Sequence, residues 1–263
     1  MTADIVITNF NRRDKVVHAI DSALMAAKFF SGKVIVVDDA STDESGSFLL
    51  QQYKEALNSN KIELIKHDVN QGVTGAKNTG FITSNADWVI FLDSDDQLLQ
   101  TSYNDILNTL QHYDSSPIIF FRVQDQDGKI VGQYFQNEQA LNLKRYLEHT
   151  SYGEALVAIK RSLITHRPYD ADLRGYEGIG CMRIIRDYGN AILSPIVARR
   201  YNRNDNDRLS SPSNFIARSH LLAKGHFRVL KEFKAHLSFK MRALLFAKAL
   251  IYASMSTLNY KKK

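Results

Sequence analysis

Short apolar runs alternate with amphipathic stretches through the first hundred residues. Asp4-Ile5-Val6-Ile7-Thr8, Val34-Ile35-Val36-Val37, Ile62-Glu63-Leu64-Ile65 and Val89-Ile90-Phe91-Leu92 each read as a strand. The second and fourth are apolar at every position, the pattern of a strand buried on both faces of a sheet. Between them, Val16, Val17, Ile20, Ala23 and Leu24 recur at helical spacing, as do Phe48, Leu49, Gln52, Tyr53 and Leu57. Ala76–Ile82 predicts a further short helix, and Ser41 with Glu44 three residues on predicts a capping box. This alternation implies βαβ units, a mostly parallel sheet and right-handed crossovers.

Beyond residue 100 the pattern loosens. A helix is expected near Thr101–Tyr113. Strands Pro117–Val123 and Ile130–Phe135 are expected to pair through a turn at Asp125–Gly128. Leu141–Leu147 and Gly180–Tyr188 read as helices, Ala155–Ile159 and Ala191–Tyr201 as strands. Arg167–Glu177 and Arg203–Ser213 read as irregular polar segments. From Ser219 onward apolar residues recur every three or four positions, predicting two amphipathic helices broken near Ala235–Ser238.

Charge divides the chain in the same place. The 263 residues carry a net +6, but residues 218–263 hold 11 of the 34 Lys and Arg and only one acid, Glu232. The tail is therefore strongly basic and the body mildly acidic. Such asymmetry points to an anionic surface as partner, a bilayer interface among them. The alternative is that both helices pack on the body with their lysines in water. Nucleic acid is disfavoured, because no base-stacking platform accompanies the charge. One cysteine, Cys181, excludes an internal disulfide and reads as a small core residue. The N-terminus lacks the pattern of a signal peptide, and no run of 18 apolar residues predicts a membrane span.

The chemistry gathers at strand ends. The run Val34–Val37 stops at Asp38-Asp39, and Val89–Leu92 stops at Asp93-Ser94-Asp95-Asp96. Carboxylates this crowded need a cation or hydrogen-bond donors among them. Oxygen-only ligands suit Mg²⁺ or Mn²⁺, particularly a metal shared with a diphosphate. A parallel sheet brings both strand ends to one edge, where such folds bind ligands. The glycine-containing loop Asn70–Gly75 reaches the same edge. Arg199, Arg200, Arg203 and Arg208 cluster near the polar loop, able to grip a diphosphate or to sit in solvent. His67 reads as an exposed loop histidine and Trp88 as a packing residue.

Four stretches, VITNFNR (6–12), VIVVDDASTD (34–43), NQGVTGAKNTG (70–80) and FLDSDD (91–96), resemble the serial motifs of family 2 glycosyltransferases of GT-A fold. The resemblance is close over residues 4–100 and looser over 101–205. It implies an α/β, Rossmann-like catalytic domain over 1–217 and a helical C-terminal extension over 218–263. Within the domain, 1–100 would bind the nucleotide-sugar and 101–217 the acceptor. It further implies inversion at the anomeric carbon, a nucleotide-sugar donor (a UDP-sugar in most relatives) and Mn²⁺ or Mg²⁺. The acceptor would be a glycan or glycolipid of a bacterial surface polysaccharide, and the site cytoplasmic, with the tail against the inner membrane face.

Carried over by position, Phe10, Asn11, Arg12, Asp38, Asp39, Lys77, Asp93 and Ser94 would bind the donor nucleotide. Lys77 stands where relatives have Arg, and lysine cannot reproduce a bidentate contact. Asp95 would hold the metal with Asp93, supported by Asp96. The family places an acidic pair about six residues before an Arg; here Tyr176-Glu177 precedes Arg183. Glu177 would then be the base, with Asp170 and Asp172 as alternatives. Two other classes compete: a non-catalytic nucleotide-binding α/β domain, and a nucleotidyltransferase that makes the sugar nucleotide. The last wants a glycine-rich basic loop after the first strand, and Asn9–Arg13 has no glycine.

Overall fold

The computed structural model describes residues 1–148, 153–201 and 217–260. Arg203 and Arg208 lie outside the described residues. The first half follows the alternating pattern. β1 (Ala3–Asn9), α1 (Arg13–Phe29), β2 (Val34–Asp38), α2 (Ser45–Gln52), α3 (Lys54–Asn58), β3 (Ile62–Lys66), α4 (Gly72–Thr83) and β4 (Trp88–Asp93) succeed one another. Strands β3, β2, β1 and β4 lie side by side and parallel. Their apolar runs serve two cores at once. Val34 and Val36 face one core with α1, while Ile35 and Val37 face the other with Ala76 and Phe81 of α4. Trp88 is wholly buried, as expected of a packing residue, with the Lys160 ammonium 5.1 Å over its ring.

The second half departs from a parallel sheet. It adds β5 (Gln97–Leu98), α5 (Tyr103–His112), β6 (Ile118–Gln124), β7 (Gln139–Leu141), α6 (Leu143–Glu148), β8 (Ala155–Lys160), α7 (Glu177–Tyr188) and β9 (Ala191–Arg200). The strand order β3-β2-β1-β4-β8-β6-β9-β5 puts β8 antiparallel between β4 and β6. Strands β5 and β7 pair antiparallel with β9, while β6 and β9 run parallel. The sheet is therefore mixed, its parallel character concentrated in residues 3–93. The expected strand Ile130–Phe135 does not form; only Ile130 bridges Gln124. The chain there is held instead by the Arg122 guanidinium, which donates to the Val131 carbonyl at 2.7 Å.

The capping box at Ser41–Glu44 is also absent. Glu44 takes a left-handed conformation, φ 62°, and Asp43 accepts the Ser45 amide at 3.1 Å. The Ser41 hydroxyl is already engaged by Asp38. A stronger, charge-assisted partner outcompetes the cap.

The extension forms two helices, α8 (Ser219–Glu232) and α9 (Phe239–Tyr260), separated by a 3₁₀ turn at Lys234–His236. The break falls where the sequence places it. Val229, Phe233 and Leu237 join the same core cluster as β6 and α7, so α8 is built onto the domain. Helix α9 lies on α8, with Ala249 buried and Phe239, Leu244, Phe246, Leu250 and Ile251 exposed. No described helix is long and apolar enough to cross a membrane.

Candidate functional site

A cavity of about 970 Å³ opens at the C-terminal edge of the parallel strands. Register explains why the aspartates meet there. Asn9 at the end of β1 sits beside Asp38, and Thr8 beside Asp93. The cavity is lined by Phe10, Asn11, Arg12, Asp39, Lys77, Asp93, Ser94, Asp95 and Glu177, among others. Of the residues expected to bind the donor, only Asp38 does not line it. Asp38 is fully buried, accepting from the Asn9 amide at 3.1 Å and from Ser41. Its contacts are with the end of β1 and the loop that follows β2.

Asp39 is the anchor of the glycine loop. Its carboxylate accepts from the Gln71 amide at 2.8 Å and the Gly72 amide at 2.7 Å. His67 is not the exposed loop residue its polar neighbours suggested. It is 7% exposed, its Nδ1 2.7 Å from Asp39 and its Nε2 2.9 Å from the Thr79 hydroxyl. The available signal was position: His67 directly follows β3, so it lies on the same ligand-binding edge. Asn11 adopts φ 52°, a conformation asparagine tolerates, and its side chain accepts the Thr42 amide at 2.7 Å.

The carboxylates at β4 are neutralised by three cations. Arg12 pairs with Asp95 at 2.6 Å. Lys77 bridges Asp93 at 3.1 Å and Glu177 at 3.2 Å. Arg199, 2% exposed, bridges Asp93 and Asp96, each at 2.9 Å. Enclosure pushes the Asp93 carboxyl up, but Lys77 and Arg199 outweigh it and hold it well below the usual range. Burial opposes the Lys77 charge, and Asp93 with Glu177 outweighs that, holding it above its ordinary value.

The donor set fits a hard divalent cation in a restricted form. Asp93 and Asp95 reach the cavity with side chains 38% and 16% exposed, whereas Asp96 is 1% exposed under Arg199. No group of three or more His, Cys, Asp or Glu converges among the described residues. Two carboxylates completed by a substrate diphosphate is the pattern such ions accept. Asp96 supports Asp93 indirectly, through their shared arginine.

Glu177 opens α7 and faces the cavity, an acid at a helix N-terminus. The alternative carboxylates are occupied elsewhere. Asp170 takes both arms of Arg183 at 2.9 Å and Arg228 at 3.1 Å. Asp172 pairs with Lys224 at 2.6 Å and Arg228 at 3.1 Å. Arg183 also grips Glu232 of α8, so it ties the Asp170–Tyr176 loop to the extension. Tyr176, in the place of the first acid, donates to the Leu222 carbonyl of α8 at 3.0 Å. Its ring lies against Gly225, where a Cβ would come within 2.4 Å. Arg218 and Leu222 of the extension line the cavity, which sequence reasoning did not assign. The floor is apolar, with Phe120, Leu193 and Cys181. Burial pushes the Cys181 thiol up to about 12, so it is a floor residue and no nucleophile.

The model of glycosyl transferase family 2 matches residues 4–172, from β1 into the loop before α7. The chain belongs to that family. It is 22% identical over 219 residues to GalNAc(5)-diNAcBac-PP-undecaprenol beta-1,3-glucosyltransferase of Campylobacter jejuni, covering 80% of this chain and 68% of that protein. It is 24% identical over 162 residues to UDP-Glc:alpha-D-GlcNAc-diphosphoundecaprenol beta-1,3-glucosyltransferase WfaP of Escherichia coli, covering 60% of each. Of three other curated relatives the chain spans 37, 24 and 53% of the length. The fold is that of S. aureus TarS 1-349, solved with UDP-GlcNAc: TM-score 0.65, 16% identity, 96% of this chain and 72% of that one. The family 2 chain is thus of GT-A fold.

Proposed function

We propose that this family 2 chain is an inverting, metal-dependent glycosyltransferase. It moves a sugar from a UDP-sugar to a hydroxyl of a glycan or glycolipid in surface polysaccharide synthesis. The observation that carries this reading is the bridge Asp93–Lys77–Glu177 inside one cavity. It links the donor-side strand end to the one candidate base that faces the cavity. In this reading Asp39 and the Gln71–Gly72 amides shape the nucleoside pocket, with Phe10 and Asn11 at its rim. Arg12 and Lys77 give up their carboxylate partners to the diphosphate. Mn²⁺ or Mg²⁺, held by Asp93 and Asp95, would neutralise charge on the departing diphosphate. Glu177 takes the proton of the acceptor hydroxyl. Ser94, 6% exposed, lies in the turn between the two aspartates. The names of the Campylobacter and Escherichia relatives, both acting on undecaprenol-linked diphosphates, support a lipid-linked acceptor.

A peripheral place on the inner face of a membrane belongs to the same reading. Helix α9 has no acidic residue, and its exposed face carries Phe239 (81%), Ile251 (57%), Phe246 (51%) and Leu244 (49%) beside Lys240 and Lys248. That composition suits an anionic bilayer interface. Co-sedimentation with anionic but not neutral vesicles, weakened by salt and by Phe239→Ser with Phe246→Ser, is the expected result. No binding at low salt sinks the membrane part alone.

The activity is tested with a panel of UDP-sugars and Mn²⁺ or Mg²⁺. Slow, metal-dependent UDP release without acceptor is expected from one or a few donors. Pyrophosphate-dependent exchange would instead make the chain a nucleotidyltransferase. UDP binding without any turnover would leave a non-catalytic nucleotide-binding domain.

A further inference from the structure

We infer that Arg199 and Glu154 together recognise a hydroxyl of the sugar being transferred, so that this pair selects the sugar carried by the nucleotide donor. This rests on the glycosyltransferase reading and deepens it.

Alternation along β9 decides which way Arg199 points. Ala198 belongs to the core that holds α1, so its neighbour Arg199 faces the other side of the sheet, where the cavity lies. Between β4 and β9 that face presents apolar side chains to the cavity: Phe91, Val157, Phe120 and Leu193. Arg199 is only partly used there. Its Nη1 donates to Asp93 at 2.9 Å and lies 2.9 Å from Asp96. Its Nε and Nη2 are buried and have no hydrogen-bond partner among the described residues. Leaving buried guanidinium donors unmade is costly, and a bound ligand oxygen removes that cost.

Glu154, directly before β8, supplies the other half. Its Oε2 is 3.8 Å from the Arg199 Nη2. That separation is too long for a hydrogen bond, yet a single oxygen can lie within reach of both groups. The two charges select what that oxygen belongs to. A phosphate or carboxylate is repelled by Glu154, and an ammonium by Arg199. A hydroxyl accepts from the guanidinium and donates to the carboxylate at once. The Glu154 side chain is 54% exposed, so it can shift to admit one.

The place along the sheet edge fits a donor sugar. The nucleoside pocket follows β1 and β2, and the aspartates Asp93 and Asp95 follow β4. The next strand is β8. Phe91 stands opposite Val157, and the same ladder continued by two residues brings Asp93 level with Ala155, next to Glu154. A nucleotide-sugar laid along that edge, base first, carries its sugar past the diphosphate and onto this floor. An apolar floor with one polar pair is how a pocket fixes orientation. A site that hydrogen-bonds a hydroxyl also rejects analogues lacking it, because its own polar groups are then left unpaired.

The test is calorimetric, on the full chain with Mn²⁺ and no acceptor. The probes are UDP, the best-bound of UDP-glucose, UDP-galactose and UDP-N-acetylglucosamine, and analogues of that donor each lacking one hydroxyl of the hexose. One analogue should bind roughly 10- to 100-fold more weakly than its parent, the range for a hydrogen bond to a charged group. In Glu154→Ala the parent should weaken by about 10-fold with UDP unchanged, and the penalty of that one analogue should shrink to about threefold or less. The other analogues should keep their wild-type penalties. Glu154→Gln, which retains an acceptor but not the charge, should fall between. The inference is overturned if every analogue carries the same penalty in wild type and Glu154→Ala, the pair then serving solvent alone. It also falls if Glu154→Ala weakens UDP as much as the UDP-sugar, since the residue would then act on the nucleotide site. If the wild-type chain fails to bind UDP, the glycosyltransferase reading falls first and takes this one with it.

Discussion

The two walls of the cavity are made in different ways. The strand-end wall comes from residues close in sequence to the ends of β1, β2 and β4, placed by parallel register. Backbone hydrogen bonds fix it, and its side chains only need to be acidic or basic. The facing wall is an irregular loop, Asp170–Tyr176, leading into α7. It has no ladder to hold it. Its place is set by long-range side-chain contacts: Asn78 holds the Tyr169 backbone at 2.7 and 2.9 Å, Arg183 bridges Asp170 to Glu232, and α8 lies behind. Sheet register places one half of the chemistry, and helix docking places the other. Substitutions on the first wall should therefore act locally, while changes in α8 should reach Glu177 from a distance.

The largest effect is expected at Asp95. Asp95→Ala removes one of the two cavity-facing carboxylates proposed to hold the metal and takes from Arg12 that partner. Turnover and metal-dependent UDP binding should be lost while the melting temperature barely moves. Near-normal turnover at saturating donor would remove the metal from this wall. Glu177→Gln comes next. It keeps shape but cannot take a proton, so turnover should fall ~10²- to 10⁴-fold with UDP affinity retained. Normal turnover would require a different base, and Asp170 and Asp172 would first have to leave their ion pairs.

The comparison sharpens at Gly225, which belongs to α8 and does not line the cavity. Gly225→Leu forces its side chain into the Tyr176 ring. Overpacking costs ~1–3 kcal/mol, and Tyr176 immediately precedes Glu177, the proposed base. Turnover should drop more than UDP affinity, alongside a modest loss of thermal stability. An equal loss of UDP affinity would mean that the two walls are not independent.

What the chain disclosed in advance follows the same division. Val34–Val37 and Val89–Leu92 announced themselves because a strand buried on both faces tolerates only apolar residues. The aspartates were legible because they mark where burial stops. Ser41 misled because the local cap competes with Asp38, a partner that only the folded loop supplies. Ile130–Phe135 misled because a sequence pattern says nothing about whether a partner edge is free, and β6, its expected partner, is paired by β8 on one edge and β9 on the other. Arg199 carried no signal beyond its charge: a buried arginine in a strand is intelligible only once Asp93 and Asp96 are beside it. Nor could spacing reveal that Arg218 belongs to a cavity formed around residues 8–95. The tail's basic, amphipathic pattern was clear, but it could not say that α8 packs while the outer face of α9 stays exposed.

The smallest expected effect isolates the docking itself. His226 on α8 is half-buried, its Nδ1 2.9 Å from the Tyr176 hydroxyl and 2.7 Å from the Leu222 carbonyl. Burial pulls its pKa below the ordinary 6.5, with Lys248 adding and the Leu222 carbonyl opposing. The unfolded chain therefore binds this proton more readily than the folded one. Its contribution is complete above pH 6.5 and is lost as pH falls through that value toward the folded pKa. Asp172 and Glu232, on the same interface, are held below ordinary values of 3.8 and 4.5, Asp172 chiefly by Lys224 and Glu232 chiefly by Arg183. Their contributions persist until far lower pH, so the windows separate. Thermal melts at about pH 7.5 and 5.5 should show wild type losing more stability than His226→Gln. Turnover per folded molecule should fall with it, since Tyr176 and Glu177 share that loop. Identical pH dependence in the two proteins would mean that the docking of α8 does not discriminate between the two states of this histidine.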